Sequence, residues 1–307
     1  MNKDLVTEYD LAEEDFDFIF TRAGELKRFL KEGRPHQVLT GKTLGMIFEK
    51  ASTRTRLSFE VGMYQLGGLA VFLNTSDTQL GRGETVSDTA KIMSRYLDGI
   101  MIRTFAQKTV EDLAAHADIP VINGLTDLLH PCQILSDLFT IMEKKGDYRG
   151  LKIAYIGDGN NIANSWINAA SRLPLKLALA CPEGYEPDSE LLARGRNETR
   201  EGIYLCRDPE EAVEKADVVY TDVWASMGQE AEREHRSRVF KTYQVNENLL
   251  SHAQEDYIVM HCLPAHRGEE ITSGVIDGPH SVVLDQAENR LHVQKAILET
   301  LMKEEKS

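Results

Sequence analysis

The sequence predicts an α/β protein of two domains, each a parallel β-sheet flanked by helices and joined to the other by interdomain helices. Three observations predict it. The chain has 307 residues, more than one hydrophobic core usually serves. Short apolar, β-branched runs alternate with segments of helical periodicity in both halves, which is typical of parallel strands joined by crossover helices. The runs are almost continuously apolar, as in strands buried on both faces.

Each half supplies its own set of elements. In the first half we predict strands at Thr43–Phe48, Leu69–Leu73, Gly99–Ile102 and Pro120–Ile122, and helices at Thr55–Leu66, Val86–Tyr96 and Val110–Ala117. In the second half we predict strands at Lys152–Ile156, Leu175–Ala180, Val218–Val223, Tyr257–His261 and Val282–Leu284, and helices at Ile162–Arg172, Glu190–Arg196 and Pro209–Lys215. One sheet per half follows from this order.

The domain division is expected at a helix between the halves. Gln133–Lys145 has apolar residues at helical spacing, and a glycine-containing segment ends it at Gly146. We therefore predict domains at 1–133 and 134–287, with a C-terminal helix in 288–307 packing back on the first. The charged stretch Gln229–Arg238 is expected to be a solvated helix or a mobile loop.

Composition excludes several classes of protein. The formal net charge is −14, from 49 acidic against 35 basic residues, which argues against the basic surface that nucleic acids require. The longest apolar runs, such as Leu175–Cys181, fall short of the ~20 residues of a membrane span, and Met1–Asp10 lacks a signal pattern. The four cysteines have no paired close spacing, so neither a zinc site nor a disulfide framework is expected. We expect a cytoplasmic protein.

Five consecutive donor side chains, Ser52-Thr53-Arg54-Thr55-Arg56, stand between a predicted strand and a predicted helix. A helix N-terminus offers free N–H groups and positive dipole to an anion, and hydroxyl and guanidinium groups add directed hydrogen bonds. The run therefore indicates a phosphate site. A capping Ser52 with two arginines in solvent explains the residue types equally well, and the P-loop glycines and lysine are absent.

His130-Pro131-Cys132-Gln133 opens the linking helix. Proline in the first turn pre-sets helical geometry. A histidine there can present a neutral donor to a carbonyl oxygen and stabilise the charge that develops on it. For an isolated His-Pro pair, a structural hydrogen bond at a helix start is the simpler interpretation.

A glycine turn at Gly157–Asn161 follows the first predicted strand of the second half. It resembles the start of a dinucleotide fingerprint, and Glu183 follows the next strand, where a ribose-binding acid would stand. The third glycine position holds Ile162, so a glycine turn into a capped helix explains the motif better than NAD binding. The amides of that helix start could still bind a small zwitterion.

Asp222 opens the run Asp222–Gly228 at the carboxyl end of a predicted strand. Ligands of open α/β sheets lie beyond the carboxyl ends of the strands. An acid there can hold an ammonium group, although a lone aspartate is as often a helix cap.

The run His261–Gly268 also follows a strand. His261 and His266 suggest a metal site, but no carboxylate or thiol pattern completes it. Cys262 is either a nucleophile or a small buried residue. Arg290, at the start of the C-terminal helix, is by itself a surface charge.

Together and in this order, the motifs resemble the signature series of the ornithine carbamoyltransferases. The resemblance covers residues 41–290 and includes the run Met101–Thr104. The Ser52–Arg56 run, Met101–Thr104 and the His130-Pro131 pair are also similar to aspartate carbamoyltransferase, so they imply carbamoyl phosphate alone. Ser226–Gly228 and His261–Pro264 resemble the ornithine branch.

The resemblance implies a role for each matching position. Carbamoyl phosphate would be bound by Ser52, Thr53, Arg54, Thr55, Gln79 (from a neighbouring subunit), Arg103, His130, Gln133, Cys262, Leu263 and Arg290. Ornithine would be bound by Asn161, Asp222, Ser226 and Met227 (through its backbone). The catalytic residues would be Thr55, Arg103, His130 and Cys262. Ala51, where many members carry another residue, departs from the pattern and removes no donor.

The implied reaction moves the carbamoyl group to the δ-amine of L-ornithine, giving L-citrulline and phosphate, in arginine biosynthesis or, in reverse, in arginine catabolism. The amine must be neutral, because an alkylammonium (pKa ~10.4) has no lone pair. The charge on the carbonyl oxygen would be stabilised by Thr55, Arg103 and His130, at ~3 kcal/mol each. Substrates held between two domains imply domain closure and a mobile loop at Met227–Arg238. A homotrimer and no metal or cofactor are also implied.

Three alternatives remain open to test. Transfer to another amine (putrescine, N-acetylornithine or aspartate) is disfavoured by Ser226–Gly228. An NAD-dependent dehydrogenase would use the Gly157–Asn161 turn and would leave the arginine-rich run unexplained. A non-catalytic protein of the same fold would have lost donors from Ser52–Arg56, and none is lost.

Overall fold

The computed structural model describes residues 2–75, 83–225 and 232–303. The chain divides into two compact units, one of Met1–Phe139 with Glu288–Ser307 and the other of Thr140–Ala287. The sequence-based prediction placed this division after residue 133.

The described elements alternate between strand and helix along both units. The strands are β1 (Thr43–Phe48), β2 (Leu69–Asn74), β3 (Gly99–Arg103), β4 (Val121–Leu125), β5 (Lys152–Ile156), β6 (Lys176–Ala180), β7 (Ile203–Cys206), β8 (Val218–Thr221) and β9 (Ile258–His261). The helices are α1 (Glu13–Lys31), α2 (Thr53–Gln65), α3 (Val86–Tyr96), α4 (Gln107–His116), α5 (Pro131–Lys145), α6 (Asn161–Arg172), α7 (Ser189–Glu198), α8 (Pro209–Val213), α9 (Arg233–Val239), α10 (Glu247–Leu250), α11 (Ser273–Ile276) and α12 (Val283–Met302). Short 3-10 helices lie at Glu8–Asp10 and Lys241–Tyr243.

The sheet of the first unit has four parallel strands in the order β2-β1-β3-β4. The chain moves from β1 outward to β2 and then returns to the other side of β1 for β3, so the strand order reverses between β1 and β3. Crevices at such a reversal, beyond the carboxyl ends of the strands, are where open α/β sheets bind ligands. The residues after β1 and at the end of β3 are therefore the ones placed to form a site.

The sheet of the second unit has five parallel strands in the order β7-β6-β5-β8-β9. Its strand order reverses between β5 and β8. Both central strands are buried: Tyr155 of β5 stacks on Tyr220 of β8, and Trp166 of α6 packs edge-on against Tyr220. This aromatic layer fixes the two strand ends that carry the Gly157–Asn161 turn and Asp222.

The predicted fold class is confirmed, and most predicted strands agree with the structure to within a residue or two. The strand predicted at Val282–Leu284 is wrong. Val282 donates one backbone hydrogen bond to Val259 of β9, at 3.0 Å, and the helix α12 begins at the next residue. A β-branched run in front of a long helical pattern gives the same local signal as a short strand.

Several elements were not predicted: the edge strand β7, helix α1, and the short helices α10 and α11 with the two 3-10 helices. The edge strand β7 has only four residues, and most of it is partly or fully exposed, so it lacks the apolar run of the central strands. Helix α1 carries Phe16, Ile19 and Phe20 on its buried face, which is the spacing of an amphipathic helix.

No helix in the described part of the chain is long and apolar enough to cross a membrane.

Candidate active site

The first group of predicted residues gathers at the strand reversal of the first unit. Helix α2 begins there directly after β1. Ser52 caps it, accepting a hydrogen bond from the backbone N–H of Thr55 at 3.2 Å. No acidic residue occupies the first turn of α2, so nothing there competes with an external anion for the helix dipole. Thr53 is exposed at this helix start, and Thr55 is buried.

The Thr55 hydroxyl links the start of α2 to helix α12. Its Oγ1 accepts hydrogen bonds from Arg290 Nη2 at 2.8 Å and from Ser52 Oγ at 3.1 Å. Because the oxygen is used as an acceptor twice, the Thr55 hydroxyl proton is available to a ligand. Arg290, a surface charge by its sequence alone, is in fact 4% exposed.

His130 lies among three guanidinium groups and is 4% exposed. Burial lowers its pKa well below the ordinary value, and the charges of Arg290, Arg103 and Arg54 lower it further. The imidazole is therefore neutral at physiological pH and can donate an N–H to a carbonyl oxygen without adding a charge. Arg103 is itself only 8% exposed. The positive charges of three arginines act on this one site, so the local field favours binding of an anion.

Gln133 is buried in the first turn of α5. Its Nε2 donates to Asp137 Oδ1 at 2.8 Å. Its Oε1 is also buried, and among the described residues it meets no hydrogen-bond donor. A buried acceptor that meets no donor among these residues is suited to accept a ligand N–H, such as that of an amide.

Cys132 stands between His130 and Gln133 in the sequence but has no chemical role in this geometry. Its thiol is buried and donates to the Asn123 carbonyl at 3.3 Å. Burial raises its pKa to about 12, so the thiolate that a nucleophile needs does not form.

Arg56, the second arginine of the donor run, is directed elsewhere. Its guanidinium pairs with Glu60 at 2.8 Å and lies over the Phe72 ring, 4.0 Å from the centroid. The solvated-face interpretation therefore applies to Arg56, whereas Arg54 contributes to the charge around His130.

Sequence reasoning missed the contacts that tie the site loops together. Lys50, buried just before the donor run, pairs with Asp127 and lies over the Phe105 ring. Glu49 accepts a hydrogen bond from the Thr104 hydroxyl. These contacts connect the loops after β1, β3 and β4, which carry Ser52–Thr55, Arg103 and His130. Charged residues next to a motif are the only signal that the sequence offers.

The second group of predicted residues gathers at the strand reversal of the second unit. Asp222 follows β8 and is 7% exposed. Its Oδ1 accepts hydrogen bonds from the Val223 backbone N–H at 2.8 Å and from Cys262 Sγ at 3.0 Å. The motifs that begin at Asp222 and at His261 are therefore brought into direct contact, although 40 residues separate Asp222 from Cys262.

Asn160, which the resemblance did not assign, completes the surroundings of Asp222. Its Nδ2 donates to Asp222 Oδ2 at 2.8 Å. Its Oδ1 caps α6 by accepting the backbone N–H groups of Ile162 and Ala163. Asn161, the predicted ligand, is the first residue of α6 and is partly buried. The sequence signal for Asn160 was its suitability as a helix cap.

His261 supports the backbone of Leu263. The Leu263 N–H donates to His261 Nδ1 at 2.9 Å, so the ring proton is on Nε2, which faces Glu270 Oε1 at 3.1 Å. Both side chains of this pair are fully buried. Leu263 has φ 60°, a conformation that costs a non-glycine residue about 1–3 kcal/mol and needs such support. Asp222, His261 and Cys262 also bring three potential metal-ligand atoms within 4.8 Å, which the sequence analysis did not foresee.

Asp158, inside the glycine turn, pairs with Arg236 of α9 at 2.9 Å. Burial raises the pKa of Asp158 to about 6, and Arg236 partly offsets this rise. Arg236 also donates to the Trp224 carbonyl at 2.8 Å. The charged stretch predicted as a solvated helix or loop thus forms α9 in its described part and holds a buried ion pair.

The two glycines of the turn have structural explanations. Gly157 has φ 135°, which side chains rarely adopt. A Cβ on Gly159 would overlap the backbone of Glu186 and Pro187. In a dinucleotide fingerprint the second glycine leaves room for a pyrophosphate, but here protein backbone fills that room. Ile162 is buried at the third glycine position, so the geometry does not fit NAD.

Gly159→Ala is expected to destabilise the protein by about 3 kcal/mol, because backbone atoms cannot rotate away from the added methyl group. The control is Gly274→Ala in the same unit, where the added methyl meets the end of the flexible Glu247 side chain. Chemical denaturation followed by fluorescence measures both variants. Equal midpoints for Gly159→Ala and wild type would contradict the close approach.

Three predicted site residues, Gln79, Ser226 and Met227, lie outside the described residues. The other predicted residues fall into the two groups above: those of the first unit surround His130 and the start of α2, and Asn161, Asp222, Cys262 and Leu263 lie at the strand ends of the second unit.

The fold and the two groups define a class of protein. Proteins of this class have two α/β units, each with a parallel sheet. Guanidinium groups form an anion site at the strand reversal of the first unit. A carboxylate suited to a cation lies at the strand reversal of the second unit. Two family models match the chain. Residues 3–143 match the carbamoyl-P binding domain of aspartate/ornithine carbamoyltransferase, and residues 149–301 match its Asp/Orn binding domain.

The chain belongs to the aspartate/ornithine carbamoyltransferase family. It is 72% identical over 302 residues to an ornithine carbamoyltransferase from Syntrophus aciditrophicus (strain SB), covering 98% of this chain and 100% of that protein. It is 56% identical to one from Thermococcus kodakarensis, covering 98% of this chain and 96% of that protein. The structure of the ornithine carbamoyltransferase from Pyrococcus furiosus superimposes with a TM-score of 0.95 at 54% identity, covering 99% of this chain and 98% of that one.

Proposed function

We propose that the chain transfers the carbamoyl group of carbamoyl phosphate to the δ-amine of L-ornithine, giving L-citrulline and phosphate. The observation that carries the proposal is that the charges of the partly buried Arg54 and of the buried Arg103 and Arg290 act on a neutral, buried His130 beside the start of α2. This set offers charge for a phosphate and an uncharged donor for a carbonyl oxygen.

Carbamoyl phosphate is matched group by group in the first unit. The phosphate would be held at the α2 N-terminus by Ser52, Thr53, Arg54 and Thr55. The carbonyl oxygen would receive hydrogen bonds from the Thr55 hydroxyl, Arg103 and His130. The amide N–H groups need acceptors, and the buried Gln133 Oε1 is one.

The acceptor amino acid is matched in the second unit. Asp222 supplies the negative charge for an α-ammonium group, and Asn161 supplies hydrogen bonds at the start of α6. We retain Ser226 and the Met227 backbone as ornithine ligands on the strength of the family resemblance. Cys262 and the Leu263 carbonyl are proposed to contact the reacting groups.

The chemical step is nucleophilic attack of the neutral δ-amine on the carbamoyl carbon. A carbon–nitrogen bond forms, the carbonyl oxygen takes negative charge, and the carbon–oxygen bond to phosphate then breaks. Thr55, Arg103 and His130 stabilise the oxyanion, at ~3 kcal/mol for each preorganised donor. Phosphate leaves into the cradle at Ser52–Thr55, and the attacking nitrogen transfers its one surplus proton to the departing phosphate.

Ornithine is preferred over other acceptors. The relatives with the identities given above are named for ornithine, and a carboxylate placed for an α-ammonium suits a free amino acid. Putrescine has no α-carboxylate, and N-acetylornithine has no free α-ammonium to pair with Asp222, so neither alternative is favoured.

The test is product formation by purified protein given carbamoyl phosphate with ornithine, putrescine, N-acetylornithine or aspartate in parallel. Citrulline from ornithine, with at most trace product from the others, is the expected result. Product from a different amine alone would keep the carbamoyl phosphate assignment and overturn the acceptor assignment. No product from any amine would overturn the transfer reaction.

We also propose a homotrimer in the cytoplasm that serves arginine biosynthesis. In support, α2 exposes Leu57, Val61 and Tyr64 at helical spacing, and Leu69 is exposed on the edge strand β2. Tyr96 of α3 is 80% exposed. Exposed apolar side chains in such number on one unit are typical of a protein contact. Gln79, the proposed contribution of a neighbouring subunit, follows β2 in the chain.

The cytoplasmic assignment is supported by the four cysteines. None is in a disulfide, and two of them, Cys132 and Cys181, are fully buried thiols. Free thiols of this kind are usual in reducing compartments.

A further inference from the structure

We infer that Asn160 is a positioning residue for the acceptor amino acid, acting by holding the carboxylate of Asp222. The inference rests on the proposed function, in which Asp222 receives the ornithine α-ammonium. It adds a residue whose side chain does not itself need to touch the substrate.

The orientation of the Asn160 amide is determined by its partners. Oδ1 accepts the backbone N–H groups of Ile162 at 2.9 Å and Ala163 at 3.3 Å. A flipped amide would place its NH₂ against these donors. Nδ2 must therefore face Asp222 Oδ2, to which it donates at 2.8 Å, and its assignment is unambiguous.

The hydrogen bond from Asn160 limits which acceptor positions of the Asp222 carboxylate remain for a substrate. A carboxylate offers about four acceptor positions. The Val223 N–H and the Cys262 thiol occupy those of Oδ1, and Asn160 occupies one on Oδ2. The remaining position on Oδ2 is the one available to an ammonium group, and Asn160 sets its direction.

A rigid frame supports this donor. The Tyr155 hydroxyl donates to the Asp158 carbonyl at 2.9 Å and lies 3.1 Å from Asn160 Oδ1, and its ring stacks on Tyr220 with centroids 5.9 Å apart. Gln286 donates to the Tyr220 hydroxyl at 3.1 Å and accepts the His261 N–H at 2.9 Å. The strand ends that carry Asn160, Asp222 and Cys262 are thereby kept in register.

The competing explanation is that Asn160 only caps α6. The two roles use different atoms, Oδ1 for the cap and Nδ2 for Asp222, so they can be separated. Asn160→Ser retains a good capping oxygen and removes the donor to Asp222. Asn246→Ser is the matched control, because Asn246 caps α10 by accepting the Leu249 N–H at 3.0 Å, and none of its hydrogen bonds reaches the site.

The experiment measures kcat and both KM values for wild type, Asn160→Ser and Asn246→Ser, with melting temperatures. We expect Asn160→Ser to raise the KM for ornithine about tenfold, the loss of roughly one hydrogen bond to a charged group, and to leave the KM for carbamoyl phosphate unchanged. Asn246→Ser should match wild type in both KM values. If Asn160→Ser does not fold, Asn160→Thr makes the same separation.

An unchanged ornithine KM in Asn160→Ser would overturn the inference, as would equal rises in both KM values, which indicate a purely structural role. Wild type that forms no citrulline would instead overturn the proposed function and this inference with it. The wild-type assay therefore distinguishes the two failures.

Discussion

Arg54→Ala is expected to lower kcat/KM for carbamoyl phosphate about a thousandfold, or about 4 kcal/mol. The guanidinium of Arg54 is one of three whose charge reaches the buried His130, and it stands at the start of α2, where the phosphate is proposed to bind. Removal of this guanidinium leaves the phosphate group of carbamoyl phosphate with fewer charge-assisted hydrogen bonds. Steady-state kinetics and calorimetric titration with carbamoyl phosphate measure the loss.

Arg56→Ala is the matched control, two residues further along the same helix. Arg56 forms an i,i+4 pair with Glu60 on the exposed face of α2, and such pairs contribute little. Its kinetics should stay within a few-fold of wild type. Near-normal turnover by a folded Arg54→Ala protein, or equal losses in the two variants, would remove the phosphate assignment.

The second large effect is expected from Asp222→Asn, which keeps the shape of the side chain and removes its charge. We expect the KM for ornithine to rise at least about a hundredfold, because an ammonium group loses its charged partner in a buried setting. Binding of carbamoyl phosphate should change little, since its proposed ligands other than Cys262 and Leu263 lie in the first unit. Kinetics with varied ornithine measure the first effect, and titration with carbamoyl phosphate alone measures its binding separately.

Asp277→Asn serves as the control for removing one aspartate charge from the second unit. Asp277 pairs with Arg267 in solvent and makes no contact with Asp222. Its KM for ornithine should equal that of wild type. If Asp222→Asn retains the wild-type KM, another group holds the α-ammonium and the acceptor assignment is wrong.

The strands and helices that were predicted correctly are those with a clear local pattern of apolar residues. Strands β1 and β5 and helix α3 agree with the prediction residue for residue, because apolar runs and helical periodicity report directly which side chains a segment can bury. The run at Val282–Leu284 was mispredicted because its pattern fits a strand, whereas α12 begins within it.

Site residues were predictable as motifs but not as individual roles. Arg54 and Arg56 are two residues apart on α2, so at 3.6 residues per turn they point in nearly opposite directions. Only the position of the helix shows which arginine joins the site. Asn160 and Asn161 are likewise adjacent in the motif: the cap position makes Asn160 the partner of Asp222, whereas the resemblance names Asn161 as an ornithine ligand.

The sequence by itself determined the fold class, the family and the chemistry of the donor run, since these depend on residue types and their order. Tertiary structure alone decided the contacts between distant segments. Arg290 reaches Thr55 across 235 positions. His130 is neutral because it is buried and because the charges of arginines on three separate segments lower its pKa further. Burial and charge at one residue are set by neighbours that the chain brings together only on folding, so no local pattern can encode them.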